Sequence, residues 1–158
     1  MKGFVSYSHA DFSLYKQFSS HLEAIRHQCN VELWTDHDIF AGTRWEPRID
    51  SEISASEIFI LLISPEFIAS KYVFDVEIPA IKARRQAGSL VLPVVLRRCC
   101  WPLVAAALQA IPLVNGRVHP ITDWHRRDHG FDHAREQITL AIVRHFGITP
   151  NRVEWPEP

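Results

Sequence analysis

Apolar residues fall into short continuous runs that are separated by stretches with helical spacing. The strongest run is Ile58-Phe59-Ile60-Leu61-Leu62-Ile63, which is apolar at every position. An unbroken apolar run is typical of a central parallel strand that is buried on both faces. Shorter runs predict four further strands, at residues 4–7, 31–34, 90–96 and 118–121.

Helical patterns occupy the intervals between these strands. One helix face is marked by apolar residues that recur three or four positions apart: Leu14, Phe18, Leu22 and Ile25. A second apolar stripe predicts the last helix, over residues 131–146. Shorter helices are predicted at residues 45–53, 67–86 and 104–110. Within residues 67–86, Pro79 predicts a break or kink near Ile78, because proline removes a helix hydrogen bond and clashes with the preceding turn.

The alternation of strands and helices predicts an α/β fold. We expect a flavodoxin-like, three-layer αβα sandwich with a five-stranded parallel sheet of order 2-1-3-4-5. In that order the direction of winding reverses between strands one and three, so the loops after these strands part and leave a crevice. Ligands of such sheets bind in this crevice, at the carboxyl ends of the strands.

Composition narrows the class of protein. The chain has 158 residues and a formal net charge of −1, with no basic stripe that would favour nucleic acid and no apolar stretch of membrane-spanning length. We expect one domain over residues 1–148 and a proline-containing tail or linker over 149–158. Three cysteines, two of them adjacent, argue against a disulfide framework and favour a cytoplasmic location.

Three segments with candidate chemistry begin where predicted strands end. The first follows strand one and contains Phe4-Val5-Ser6-Tyr7-Ser8-His9-Ala10-Asp11. The second runs from Trp34-Thr35-Asp36 to Ala41-Gly42-Thr43-Arg44-Trp45. The third contains Ser64-Pro65-Glu66, Ser70-Lys71-Tyr72 and Glu77. Each residue alone has an ordinary structural explanation, but the fold brings all three segments to one edge of the sheet.

In order and spacing, these segments resemble the conserved boxes of TIR domains, over residues 2–146. The second segment is similar to the BB loop in its bacterial form. The resemblance implies an NAD⁺ glycohydrolase or cyclase with NAD⁺ as its substrate and no bound cofactor or metal. It places the catalytic glutamate at Glu77, the loop aspartate at Asp36 and the residue that follows the loop glycine at Trp45. Several NAD⁺-cleaving relatives carry a tryptophan four residues before the glutamate, where this chain has Val73.

A single carboxylate suits this chemistry. Nicotinamide leaves NAD⁺ as a neutral ring, so the step that needs help is formation of an oxocarbenium-like ribose. Ionised Glu77 can stabilise that charge, and an ordinary glutamate pKa of about 4.3 would leave it ionised at neutral pH. Tyr7 or Trp45 can stack on the cationic ring. The remaining candidate ligand-binding residues are Ser8, His9, Arg44 and Tyr72.

Two other functions stay open at this stage: a non-catalytic TIR–TIR interaction module, and a sensor that binds a nucleotide without turnover. The resemblance implies an immune or antiphage effector that is activated by self-association through the BB loop and helix surfaces, with room for an additional sensor domain or subunit. His125, His129 and His133 have a spacing that could hold zinc on an unbroken helix, but Gly130 between them favours a solvated loop.

Overall fold

The computed structural model describes residues 1–36 and 45–156. Its main sheet is parallel and has the order β2-β1-β3-β4. The four strands are Lys2–Tyr7 (β1), Glu32–Trp34 (β2), Ile58–Ile63 (β3) and Leu90–Val95 (β4). The α/β class, the parallel sheet and the first four positions of the predicted strand order are therefore confirmed.

The predicted fifth parallel strand at residues 118–121 is not found in the described part of the chain. Leu113–Val114 (β5) and Arg117–Val118 (β6) instead form an antiparallel hairpin. Asn115 and Gly116 connect them, both with positive φ, as the tight turn of a two-residue hairpin requires. Val118 therefore pairs with Leu113 in this hairpin, and along the outer edge of β4 the described residues show one parallel bridge, between Val94 and Ile111.

Six α-helices lie in the described residues: Phe12–Cys29 (α1), Trp45–Ala55 (α2), Pro65–Ala69 (α3), Ile78–Gln86 (α4), Pro102–Ala105 (α5) and Arg127–Phe146 (α6). α5 is shorter than the helix expected at residues 104–110. None of these helices combines the length and the apolar character that a membrane crossing needs.

The last helix begins before Gly130, so the expectation of a solvated loop there was wrong. Gly130 is buried inside α6, and a Cβ atom at this position would lie 2.8 Å from the ring of Trp124. The glycine is therefore needed for the close approach of that ring to the helix. His129 and His133 belong to α6, while His125 precedes it.

Two hydrophobic clusters cover the two faces of the sheet. Leu14, Phe18, Leu22 and Ile25 of α1 pack with α6 on one face, as the stripe predicted. The other face packs against residues from α2 and α4, including Ile49, Ile53, Ile78 and Ile81. This three-layer packing leaves the carboxyl edge of the sheet open for a site.

The segment between β3 and β4 contains α3, a π-turn and α4, in that order. Ser64 caps α3 by accepting a hydrogen bond from the Phe67 amide at 3.0 Å, and the chain becomes extended at Ser70. Residues Val73–Glu77 then form a π-turn in which the amide of Ile78 donates to the carbonyl of Val73. Proline is tolerated in the first turn of a helix, and Pro79 lies there, because α4 begins at Ile78. The interruption expected near Ile78 is therefore found, as a π-turn that ends directly before this residue.

Candidate active site

A pocket of about 440 Å³ opens at the carboxyl edge of the sheet, where β1, β2 and β3 end. The segments that follow β1, β2 and β3 form its walls together with α2. The lining residues are Tyr7, Ser8, His9, Asp36, Ile49, Ser70, Tyr72, Val73 and Glu77. Six of the eight candidate residues selected from the sequence are among them: Tyr7, Ser8, His9, Asp36, Tyr72 and Glu77.

The other two candidates cannot be placed. Arg44 and the rest of residues 37–44 lie outside the described residues, and so does the side chain of Trp45, although α2 begins at that position. The tip of the predicted BB loop is therefore outside the described part of the chain. Asp36 at its beginning and Ile49 on α2 border the pocket on that side.

Glu77 is a buried carboxylate on the pocket wall, with 7% of its surface exposed. It is the last residue of the π-turn, and its Oε2 atom accepts a hydrogen bond from the Ser6 hydroxyl. Ser6 lies in β1 and is itself buried. The hydrogen bond engages one carboxylate oxygen, so the second oxygen can still face a ligand.

The pKa of Glu77 is raised from its ordinary value, which corrects the expectation of an unperturbed glutamate. Burial is the main cause, because it removes solvation from the charged form. The hydrogen bond from Ser6 opposes this and lowers the pKa of Glu77, as does the nearby His9, while the charge of Asp36 raises it further. The protonation of Glu77 therefore depends on three neighbouring side chains.

His9 and Asp36 form a contact across the pocket. His9 Nε2 meets Asp36 Oδ2, and the histidine side chain is exposed while the aspartate is largely buried. This contact joins the loop after β1 to the residue that begins the loop after β2. It holds the carboxylate of Asp36 beside the pocket.

The aromatic wall is formed by Tyr7 and Tyr72. The ring of Tyr7 stacks on that of Tyr15 in α1, with centroids 4.3 Å apart and planes 4° apart. Burial raises the pKa of Tyr72 to about 12, and the negative charges of Glu77, Asp50, Glu46 and Asp36 contribute to the shift. The Tyr72 phenol is therefore neutral at physiological pH and lies near several carboxylates.

A buried polar network braces the loops that carry the site. The Ser64 hydroxyl donates to Asp11 Oδ2, and Arg97 Nη2 donates to Asp11 Oδ1 at 3.1 Å. Arg97 also contacts Glu66 in α3. The side chain of Asp11 makes no cap hydrogen bond to α1. It links the exits of β1, β3 and β4 instead, which fixes the loop bearing Ser8 and His9 relative to the beginning of α3.

Ser6 is the site residue that sequence reasoning did not single out. The available signal was a polar side chain at a position that the strand pattern predicts to be buried, because a buried hydroxyl needs a hydrogen-bond partner. Ile49, Ser70 and Val73 also line the pocket without having been singled out as ligand contacts. Ser70 accepts a hydrogen bond from the Val73 amide at 3.3 Å, so it holds the beginning of the π-turn.

Within residues 1–36 and 45–156, no cluster of three or more histidine, cysteine, aspartate or glutamate side chains has a metal-binding arrangement. His133, one of the three histidines with regular spacing, contacts the carbonyl of Leu113 at 3.2 Å. Its ring therefore contributes to the attachment of the β5–β6 hairpin to α6.

Two comparisons relate the chain to known proteins. A family model described as "TIR domain" matches residues 4–135, which include most of β1, all of β2 to β4 and the whole pocket. The chain is also 38% identical over 143 residues to "Uncharacterized protein y4lF" of Sinorhizobium fredii. That match covers 89% of this chain and 43% of the relative, so the chain spans less than half of the relative's length.

Proposed function

This chain belongs to the TIR domain family, and we propose that its pocket cleaves the bond between nicotinamide and ribose in NAD⁺. The observation that carries this proposal is the position of Glu77. Its carboxylate is buried on the wall of a pocket of about 440 Å³ that Asp36, Tyr7 and Tyr72 also line. This set of groups suits a substrate with a cationic aromatic ring and a reaction that develops positive charge.

The reaction follows from these charges. The C–N bond breaks, nicotinamide departs as a neutral molecule with the bonding electron pair, and an oxocarbenium-like ribose remains. Ionised Glu77 stabilises this cation, and the effect is strong because the site is shielded from water. A water molecule then attacks the ribose and loses a proton, which yields ADP-ribose. Attack by a hydroxyl or ring nitrogen of the same dinucleotide would yield a cyclic product instead.

The electrostatics of the pocket support a cationic ligand. Burial raises the pKa of Tyr72, and the nearby carboxylates of Glu77, Asp50, Glu46 and Asp36 raise it further, which indicates an excess of negative charge around this ring. A positively charged nicotinamide ring is stabilised by this negative charge, and the ring of Tyr7 or Tyr72 adds a cation–π contact of about 0.5–2 kcal/mol.

A second candidate function is a TIR–TIR interaction module without catalysis. One observation favours it: Val73, and not a tryptophan, lines the pocket four residues before Glu77. In either case we propose self-association as the activating step, as part of an immune or antiphage response. The loop after β2 and the exposed surfaces of the helices are the proposed contacts.

Release of free nicotinamide distinguishes the two functions. The purified chain is incubated with NAD⁺, with and without a clustering agent, and compared with Glu77→Ala. Glu52→Ala is the matched control, because Glu52 is an equally buried glutamate that lies outside the pocket. We expect release by the wild type and by Glu52→Ala but not by Glu77→Ala. Equal release by Glu77→Ala would exclude Glu77 from the mechanism, and no release by the clustered wild type would favour the interaction module.

A further inference from the structure

Ser6 is a polar residue in the most buried part of the sheet. It lies in β1, which pairs with β2 on one side and with β3 on the other, and its register partner in β3 is Leu61. Only 3% of its surface is exposed. A hydroxyl at such a position destabilises the fold unless it is hydrogen-bonded, and most strands of this kind carry aliphatic residues there.

The hydrogen bond of Ser6 goes to Glu77, a residue 71 positions later in the chain. Its donor lies on β1, which pairs with β3 from Gly3 to Tyr7 and with β2 from Lys2 to Phe4. Its acceptor lies at the end of a π-turn, which is a less regular element. Because the strand is the more rigid of the two, the hydroxyl determines where the carboxylate points.

We propose that Ser6 is a positioning residue that keeps Glu77 ionised and directs its carboxylate at the pocket. This inference rests on the proposed NAD⁺-cleaving function, because an ionised Glu77 is needed to stabilise a cationic ribose. Ser6 acts through Glu77 and is not itself one of the residues that line the pocket.

The charges around Glu77 explain why a donor is needed. Burial and Asp36 raise the pKa of Glu77, and of the two groups that lower it the Ser6 hydrogen bond is the stronger, ahead of His9. On its own helical segment Glu77 faces Tyr72, whose neutral phenol adds no positive charge. From α2, Glu46 and Asp50 add negative charge to the same region. Among the described residues, His9 is the other group that lowers the pKa of Glu77, so loss of the Ser6 donor leaves the ionised form less favoured.

The test is a direct titration of Glu77 in the 158-residue chain. Glutamate is labelled with ¹³C in its carboxyl group, the NMR signals are followed against pH, and Glu77→Gln identifies the signal of Glu77. Ser6→Ala removes the donor, and Ser6→Thr retains a hydroxyl with a side chain that suits a strand. Ser56→Ala is the matched control, because Ser56 is equally buried but donates to the Glu52 carbonyl at 2.7 Å.

We expect the midpoint of Glu77 to rise in Ser6→Ala and to stay near the wild-type value in Ser6→Thr and Ser56→Ala. The acid limb of the pH–rate profile for nicotinamide release should move in the same direction. At neutral pH, kcat/KM should fall by about tenfold, as expected for one hydrogen bond to an ionised group. An unchanged midpoint in Ser6→Ala would overturn the inference.

Two readouts separate this inference from the proposed function. If the wild type releases no nicotinamide, the catalytic proposal fails, while the titration still decides whether Ser6 controls Glu77. If nicotinamide is released but the midpoint does not move, only the role of Ser6 is refuted. Should Ser6→Ala not fold, Ser6→Cys provides a side chain of similar size with a much weaker donor, and the same rise of the midpoint is expected.

Discussion

Tyr72 and Glu77 lie five residues apart in the same helical segment, and both line the same pocket. In a regular α-helix, residues five apart point about 140° away from each other. The π-turn at Val73–Glu77 inserts one extra residue per turn, which brings Tyr72 toward the face that carries Glu77. An aromatic residue five positions before the glutamate can therefore take the place of one four positions before it.

Replacement of Tyr72 should weaken catalysis through loss of the ring. We expect Tyr72→Ala to lower kcat/KM for nicotinamide release by about tenfold, which corresponds to one cation–π contact, and Tyr72→Phe to retain most of the activity. Val73→Ala, at the adjacent pocket position, is the control. Equal losses in Tyr72→Ala and Val73→Ala would show that pocket shape matters more than the aromatic ring.

Replacement of Glu77 should stabilise the fold in a pH-dependent way. The native state binds a proton at Glu77 more tightly than the unfolded chain does, because the pKa of Glu77 is raised in the native state. The contribution of Glu77 to the free energy of unfolding is therefore lost as the pH rises from the pKa of the unfolded state through the pKa of the native state. Glu77→Gln removes the effect. Each unit by which the native-state pKa exceeds the unfolded-state pKa changes the free energy of unfolding by about 1.4 kcal/mol.

We therefore expect the free energy of unfolding of Glu77→Gln to exceed that of the wild type near neutral pH and the two values to converge under acidic conditions. Urea denaturation at several pH values measures this difference. A constant difference at all pH values would contradict the assignment of a raised pKa to Glu77.

Replacement of Asp36 should change the titration of Glu77 in the opposite direction to replacement of Ser6. Asp36 raises the pKa of Glu77 through its negative charge, so Asp36→Asn should lower the titration midpoint of Glu77 and move the acid limb of the pH–rate profile to lower pH. The KM for NAD⁺ should rise, because the pocket loses a negative charge. A midpoint that rises in Asp36→Asn would show that the contact with His9 dominates instead.

Removal of Asp11 should destabilise the fold strongly. Its carboxylate is 3% exposed and binds both Ser64 and Arg97. Without it Ser64 loses its charged partner and Arg97 loses the buried one of its two carboxylate partners, and loss of one member of a buried ion pair destabilises proteins by about 3–5 kcal/mol. We expect Asp11→Ala to lower the free energy of unfolding by an amount near the lower end of this range, because Arg97 is partly exposed.

Glu66→Ala is the comparison for Asp11, since Glu66 contacts the same arginine from a much more exposed position. Its loss should lower the free energy of unfolding by less than about 1 kcal/mol. Urea denaturation of both variants measures the difference, and similar losses would contradict a bracing role that is specific to Asp11.

The predictions that differ from the structure concern local turns and packing contacts, which the periodicity of apolar residues does not record. Asn115-Gly116 is a strong hairpin signal, and it replaced the expected fifth strand because both residues adopt positive φ. Gly130 was interpreted as a helix interruption, but the approach of Trp124 requires it inside the helix. In both cases the residue type was informative, and its meaning depended on which neighbour packs against it.

The sequence by itself determined the α/β class, the parallel order of the first four strands, the family, and the gathering of Tyr7, Asp36 and Glu77 at one edge. Hydrophobic periodicity and chain order are sufficient for these features, because parallel strands connected by right-handed crossovers place all their carboxyl ends together. Only the tertiary structure decided that Ser6 binds Glu77, that the pKa of Glu77 is raised, and that a π-turn brings Tyr72 toward it. Those features depend on burial and on contacts between residues far apart in the chain, which no local pattern records.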